Sequence, residues 1–260
     1  MSSERPPALL AALAIVGVAF FILPLAGLLA RAPWQSALGE LTTPEALTAL
    51  RLSFVISLAA TALALLLGVP LAWIYARVPF RGRDLIRALT TLPMILPPVV
   101  GGVALLFAFG RRGLFGQALD AIGIRLPFTT FGAILAATFV AMPLLVLTVE
   151  AGLRSMDRRY EDAARTLGAG RWIVFRRVTL PLIAPSVFAG AVLCWARALG
   201  EFGATITFAG NLPGTTQTLP LAVYIALETR PEVAIMLSVV LLAVSLAILV
   251  AMRDRYLRAF

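Results

Sequence analysis

Charge divides this chain into long uncharged pieces. Seven runs contain no Asp, Glu, Lys or Arg: 6–30, 52–76, 88–110, 126–149, 178–196, 202–227 and 233–252. A helix rising about 1.5 Å per residue needs roughly 20 apolar residues to cross a bilayer's hydrocarbon core, so all seven are near or above that length. The apolar residues lie in continuous stretches with short charged connectors, not in an amphipathic repeat. With 60% hydrophobic residues, 13% charged residues and a mean hydropathy of +0.95, the 260 residues cannot be wrapped in a charged surface. A soluble globule is excluded, and an all-α integral membrane protein is expected.

One run differs from the rest. Residues 202–227 include Asn211, Pro213, Gly214, Thr215, Thr216, Gln217, Thr218 and Pro220, turn formers and hydroxyls that a lipid-facing helix would not carry through its middle. We read it as a loop and extend the preceding run through Arg197 and Glu201 to about residue 208. Six spans result, at about 8–30, 52–76, 88–109, 128–150, 182–208 and 233–252, in a single membrane domain over 1–260 with both termini on one side. With the N-terminus inside, the inner segments hold Arg5, then Arg77, Arg81, Arg83 and Arg87, then Arg154, Arg158, Arg159, Arg165, Arg171, Arg176 and Arg177, then Arg253, Arg255 and Arg258. The outer segments hold Arg31, Arg111, Arg112, Arg125 and Arg230, with Arg51 at a boundary and Arg197 inside a span. Fifteen against five obeys the positive-inside rule and predicts cytoplasmic termini. A cleavable signal peptide is the alternative for the first run, but its 25 uncharged residues exceed the usual h-region of about 7 to 15.

All 22 basic residues are Arg, against 13 acidic ones. These arginines cap apolar runs instead of forming a stripe, which points to an anionic membrane surface and not to nucleic acid. Histidine is absent and Cys194 is the single cysteine, so imidazole ligation, an intrachain disulfide and a thiolate metal cluster are excluded. No G-x-x-x-x-G-K-[ST] loop occurs; Gly110-Arg111-Arg112-Gly113 has the wrong spacing and no Lys.

The longest inner connector, about 151–178, is helix-permissive. Tyr160, Ala163, Ala164 and Leu167 form an i, i+3, i+4, i+7 face, with Asp157 as a candidate N-cap and Gly168 and Gly170 as stop signals. A helix lying on the inner leaflet and a docking helix for a cytoplasmic partner both fit this pattern. The order Asp162-Ala163-Ala164, three residues, Gly168, nine residues, Val178, one residue, Leu180-Pro181 resembles the Glu-Ala-Ala loop of ATP-binding-cassette importer permeases. Asp162 stands where that family usually has Glu and Val178 where it usually has Ile, and Glu161 sits immediately before. The resemblance implies a coupling helix, Tyr160, Glu161, Asp162, Ala163, Ala164, Leu167, Gly168 and Ala169, that fits a cleft on an ATPase subunit.

The third run holds Pro93, Pro97 and Pro98, which break the helical ladder and demand a kink. A packing kink and a pathway-lining broken helix are both open readings. Arg197 and Glu201 lie four residues apart, where they can neutralise each other inside a span. They are either functional or a buried pair that only locks helices together. The stretch Gly200-Glu201-Phe202-Gly203-Ala204, continuing Thr205-Ile206-Thr207 and Ala209-Gly210-Asn211, resembles oxyanion permeases, those for molybdate, tungstate, sulfate and thiosulfate. With Pro213-Gly214-Thr215, Pro97-Pro98 and Arg111-Arg112-Gly113 it looks most like the molybdate type, over about residues 48–252. Weak donors suit an anion that must be released, so Arg197, Glu201, Thr205, Thr207, Asn211, Thr215, Thr216, Pro97 and Pro98 are the candidate pathway residues. Each threonine is equally at home as a loop or helix-end residue.

The resemblance implies a type I importer permease of the prokaryotic inner membrane, and with it the partners. These are a second copy as homodimer, two cytoplasmic ATPase subunits that bind ATP and Mg, and an external oxyanion-binding protein. No cofactor is expected in this chain, and no covalent chemistry. A sulfate or thiosulfate permease is the alternative within transport. A membrane enzyme would need a clustered polar site, and a passive channel would not depend on an ATPase.

Overall fold

A computed structural model describes residues 7–256, whose regular elements are all helical. Arg5 and Arg258, two of the orientation-setting charges, lie outside them. Helix α1 (Ala8–Arg31) and the short α2 (Ala37–Leu41) lead to α3 (Pro44–Arg77). Next come α4 (Arg83–Thr91), a 3-10 turn at Leu92–Met94, α5 (Pro98–Phe109), α6 (Gly116–Ala121) and α7 (Thr130–Ser155). Helix α8 (Arg159–Thr166) precedes α9 (Arg171–Val174), which runs through a π turn at Phe175–Thr179 into α10 (Leu180–Leu199). The chain closes with α11 (Gly203–Phe208), α12 (Leu219–Thr229) and α13 (Pro231–Tyr256).

Local chemistry sets several of these limits. The Thr43 hydroxyl accepts from the Ala46 N–H at 3.3 Å ahead of Pro44, so α3 starts eight residues before the expected 52 and reaches 34 residues. The Thr129 hydroxyl caps α7 in the same way through Gly132 N–H at 3.0 Å. Among the described residues, five helices are long and apolar enough to cross a membrane, or up to six if the bent pair Arg83–Met94 and Pro98–Phe109 counts as one span.

That pair is the third span, read as a kinked helix over 88–109, and it begins earlier, at Arg83. Its halves meet at 117°. Pro97 and Pro98 have no N–H to give, and each disfavours helical backbone in the residue before it, so the chain leaves the helix at Ile95–Pro97 and restarts with Pro98 in the first turn. The fifth span is corrected too. It stops at Leu199, not 208, and begins at Arg171, while α7 runs on to Ser155, so the connector read as 151–178 shrinks to 156–170. The stretch read as the end of the fifth span is the separate helix α11, and the loop read between the fifth and sixth spans contains α12. Pro220, taken as a turn former, sits in the first turn of α12, and the Ser53 hydroxyl accepts the Leu219 N–H there at 2.7 Å.

The interior is built from small residues, as expected where no water drives helices together. Helix α7 lies between α3 and α10, with Ala60, Ala64 and Ala72 meeting Ala133, Ala137 and Ala141 in one cluster. A Cβ on Gly68 would stand 2.9 Å from Leu145 Cδ2, and one on Gly190 would stand 3.3 Å from the Leu145 backbone. The Trp195 indole donates to the Ser57 hydroxyl at 3.0 Å, joining α10 to α3. Helix α12 packs on the first half of α3, and α13 packs on α12, in a cluster that holds Ala46, Ala49, Leu219, Ala226 and Ala234. No residue of α1 is buried, so its apolar surface must be covered by lipid or another subunit.

Helix α5 crosses α11 so closely that a Cβ on Gly102 would fall 2.7 Å from Thr207 Cβ and 2.8 Å from the Ala204 carbonyl oxygen. Gly102→Val should therefore destabilise the protein by about 1–3 kcal/mol through overpacking. Gly27→Ala, in open space on α1, should be neutral or slightly stabilising. Thermal unfolding of both variants in detergent checks the contrast; equal midpoints would refute the crossing.

Candidate functional site

Helix α8 carries most of the residues expected to couple. Asp157 lies one position outside the cap and accepts the Arg159 N–H at 2.9 Å. The other end closes with two bonds, Gly168 N–H to Arg165 carbonyl at 2.9 Å and Ala169 N–H to Ala164 carbonyl at 3.0 Å. This double closure needs left-handed backbone at Gly168, where φ is +84°. Tyr160, Ala163 and Leu167 are exposed, Leu167 at 89%, which leaves an unpartnered apolar face on a short rigid helix.

The two neighbouring acids divide their roles. Asp162, aligned with the motif's acid, points outward and pairs with Arg165 at 3.1 Å. Glu161 points inward and is 3% exposed. Its Oε2 lies 3.2 Å from Arg77 Nε at the end of α3, and its Oε1 accepts the Thr179 hydroxyl at 2.7 Å. Arg158 adds a bond from Nη2 to the Ala76 carbonyl at 3.2 Å.

A second buried acid was not among the candidates. Glu150 is 1% exposed near the end of α7, with Arg87 Nε at 3.0 Å and Arg154 Nη2 at 2.7 Å. Tyr75 and Thr90 share a hydrogen bond at 2.6 Å, so α4 is held to α3 as well as to α7. Arg87 also lines a cleft of about 380 Å³ beneath the bend, beside Met94, Ile95 and Leu147. Read as topology charges, Arg77, Arg87 and Arg154 gave no hint of this. Only Arg154, four residues after Glu150 on one helix face, carried a local signal.

The pathway candidates meet at a corner. Helix α10 ends at Leu199, so Arg197 and Glu201 stand at a helix break, not inside a continuous span as read. Arg197 Nη1 lies 2.6 Å from Glu201 Oε2, and Glu201 Oε1 accepts the Ala204 N–H at 2.8 Å. Glu201 is buried, while a third of the Arg197 side chain is exposed. Gly203 faces Pro98, whose Cβ would be 2.9 Å from an added Cβ, so the start of α5 meets the start of α11 just past the break.

The proposed donors do not all stand free. The Thr207 hydroxyl donates to the Gly203 carbonyl at 2.7 Å, and that of Thr216 takes part in the turn from Gly210 to Leu212. Thr205 is buried, and the Thr215 carbonyl accepts from the Thr130 hydroxyl at 2.8 Å. Asn211 Oδ1 is buried without a hydrogen-bond partner. On the short helix α6, Asp120 lies 2.9 Å from Arg125, whose guanidinium holds its carboxyl below the usual range. Among the described residues no three His, Cys, Asp or Glu side chains group to hold a metal.

Known proteins match this arrangement over most of its length. The permease protein of the molybdenum transport system of Mycobacterium tuberculosis is 46% identical over 242 residues, covering 93% of this chain and 92% of that protein. The Escherichia coli sulfate transport system permease protein CysT is 35% identical over 227 residues, covering 85% and 82%. Among solved structures, a bacterial alginate ABC transporter in complex with an alginate-bound periplasmic protein shares the fold, with TM-score 0.73 at 20% identity over 95% of this chain and 94% of that one. Residues 64–259 match the profile of the inner membrane components of binding-protein-dependent transport systems. This chain belongs to the family of binding-protein-dependent transport system inner membrane components.

Proposed function

We propose that the chain is the membrane subunit of an ATP-driven importer for molybdate and tungstate. The observation that carries this reading is the contrast in likeness, 46% over 93% of the chain to a molybdenum permease against 35% over 85% to a sulfate permease. Two copies form a pathway between them, with both termini and α8 on the cytoplasmic side, as the arginine distribution favours. Two separate ATPase subunits bind ATP and Mg and receive the exposed face of α8; an external binding protein delivers the anion. ATP binding draws the ATPases together, α8 moves, and the spans rock to open outward; hydrolysis reverses the swing. The subunit itself makes and breaks no covalent bond.

A tetrahedral dianion leaving water needs donors and modest positive potential, yet must be released. Arg197 supplies such a potential because Glu201 offsets most of its charge. Pro97, Pro98, Thr205, Thr207, Asn211 and Thr215 surround the same corner or the turn after it. Uptake into liposomes holding this chain, its ATPase and its binding protein tests the reading. We expect saturable, ATP-dependent uptake of molybdate and tungstate with sulfate ignored; sulfate uptake would transfer the subunit to the sulfate class, and ATP-independent flux would refute the importer.

Gly168→Val has room for its side chain but not for its backbone, which costs about 1–2 kcal/mol in left-handed geometry. The variant should insert and still allow ATP hydrolysis while uptake falls several-fold, and normal uptake would refute the docking role. Arg197→Glu or Glu201→Arg alone should abolish uptake. The double swap should restore only part of it, because an arginine at 201 cannot accept the Ala204 N–H. Full uptake by Arg197→Ala would reduce the pair to packing.

A further inference from the structure

Arg77, Glu161 and Thr179 come from three elements: the end of α3, the coupling helix α8, and the π turn that leads into α10. Their contacts are 3.2 Å and 2.7 Å, and the side chains of Arg77 and Glu161 are only 8% and 4% exposed. Removing two charges from water costs more than their pairing usually returns, so stability alone does not account for a buried pair here. Arg77 Nη2 is also buried without an acceptor, which a purely static lock would have satisfied. Thr179 closes a five-residue π turn, an irregularity that recurs at functional positions in helices. From the same end of α3, Tyr75 reaches Thr90 on α4, the helix that leads through the bend to α5 and the Gly203 corner.

We propose that the Arg77–Glu161–Thr179 cluster is the positioning joint of the transport cycle, the contact through which a displacement of α8 is passed to the ends of α3 and α10 as one body. The exposed Tyr160 and Asp162 of α8, with Leu167 just after it, meet the partner; the buried three carry the load into the membrane helices. The proposal rests on the importer reading for the existence of a cycle, but not on the identity of the anion.

Glu161→Gln, Arg77→Gln, Thr179→Val and the swap Arg77→Glu with Glu161→Arg are to be compared in the complete complex in liposomes. The measurements are ATPase co-purification, ATP hydrolysis, and anion taken up per ATP hydrolysed. The anion is whichever of molybdate, tungstate or sulfate the unmodified complex carries, so a wrong substrate class leaves this test intact. We expect co-purification to be retained, uptake per ATP to fall roughly tenfold in both Gln variants, and the swap to recover part of it. Thr179→Val, which keeps both charges and so guards against a variant that does not insert, should lose a smaller share. An unchanged ratio in inserted Glu161→Gln or Arg77→Gln, or in Thr179→Val if these do not insert, overturns the joint. So does a loss of uptake that merely follows loss of the bound ATPase, or a swap no better than the single changes.

Discussion

Inside hydrocarbon a backbone that leaves its helix must find hydrogen-bond partners within the protein, and the architecture is organised around the two places where this happens. One is the bend at Ile95–Pro97, the other the break at Gly200–Phe202. They are packed against each other: Gly203 lies against Pro98, and Gly102 against Ala204 and Thr207. Glycine at 102 and 203 allows that contact because any Cβ would collide with its neighbour. Glu201 then supplies an acceptor for the Ala204 N–H that the broken ladder left over, and Arg197 balances its charge.

The same logic governs the charged end of the helices. Glu150 and Glu161 are almost fully buried, and each is met by arginine from another element. Guanidinium suits this better than ammonium: it is always charged, and its fork can reach across an element boundary to a carboxylate while keeping other donors for carbonyls. Arg158 reaches across an element boundary to a carbonyl instead, that of Ala76. These bonds tie α4, α8 and the start of α10 to α3 and α7, so the short helices at the base are extensions of the spans and not loose connectors.

Much of the fold and some of the site were legible in the order of residues. Uncharged runs located the long helices, and prolines 93, 97 and 98 announced a kink. Gly168, placed after an Ala-Ala pair and followed by Leu180-Pro181, marked the exposed helix. The angle of the bend and the end of the fifth helix were not legible, because a Gly-Glu-Phe-Gly break is apolar enough to pass for a continuing span. Pro220 misled for the opposite reason, since a helix start and a turn both favour proline. The division between Asp162 and Glu161 was also hidden: adjacent acids on a helix point about 100° apart, and only the position of Arg77 decides which is buried.

Sequence alone determined the medium, the helical class and the overall order, because a bilayer leaves a continuous apolar chain few alternatives. Tertiary structure alone decided the meeting of the two broken helices, the pairing of Arg87 with Glu150, and the meeting of Arg77 and Thr179 at Glu161. Of these contacts, Arg77 to Glu161, Arg87 to Glu150 and Pro98 to Gly203 join residues far apart in the chain, and their geometry depends on how closely glycine and alanine let helices approach.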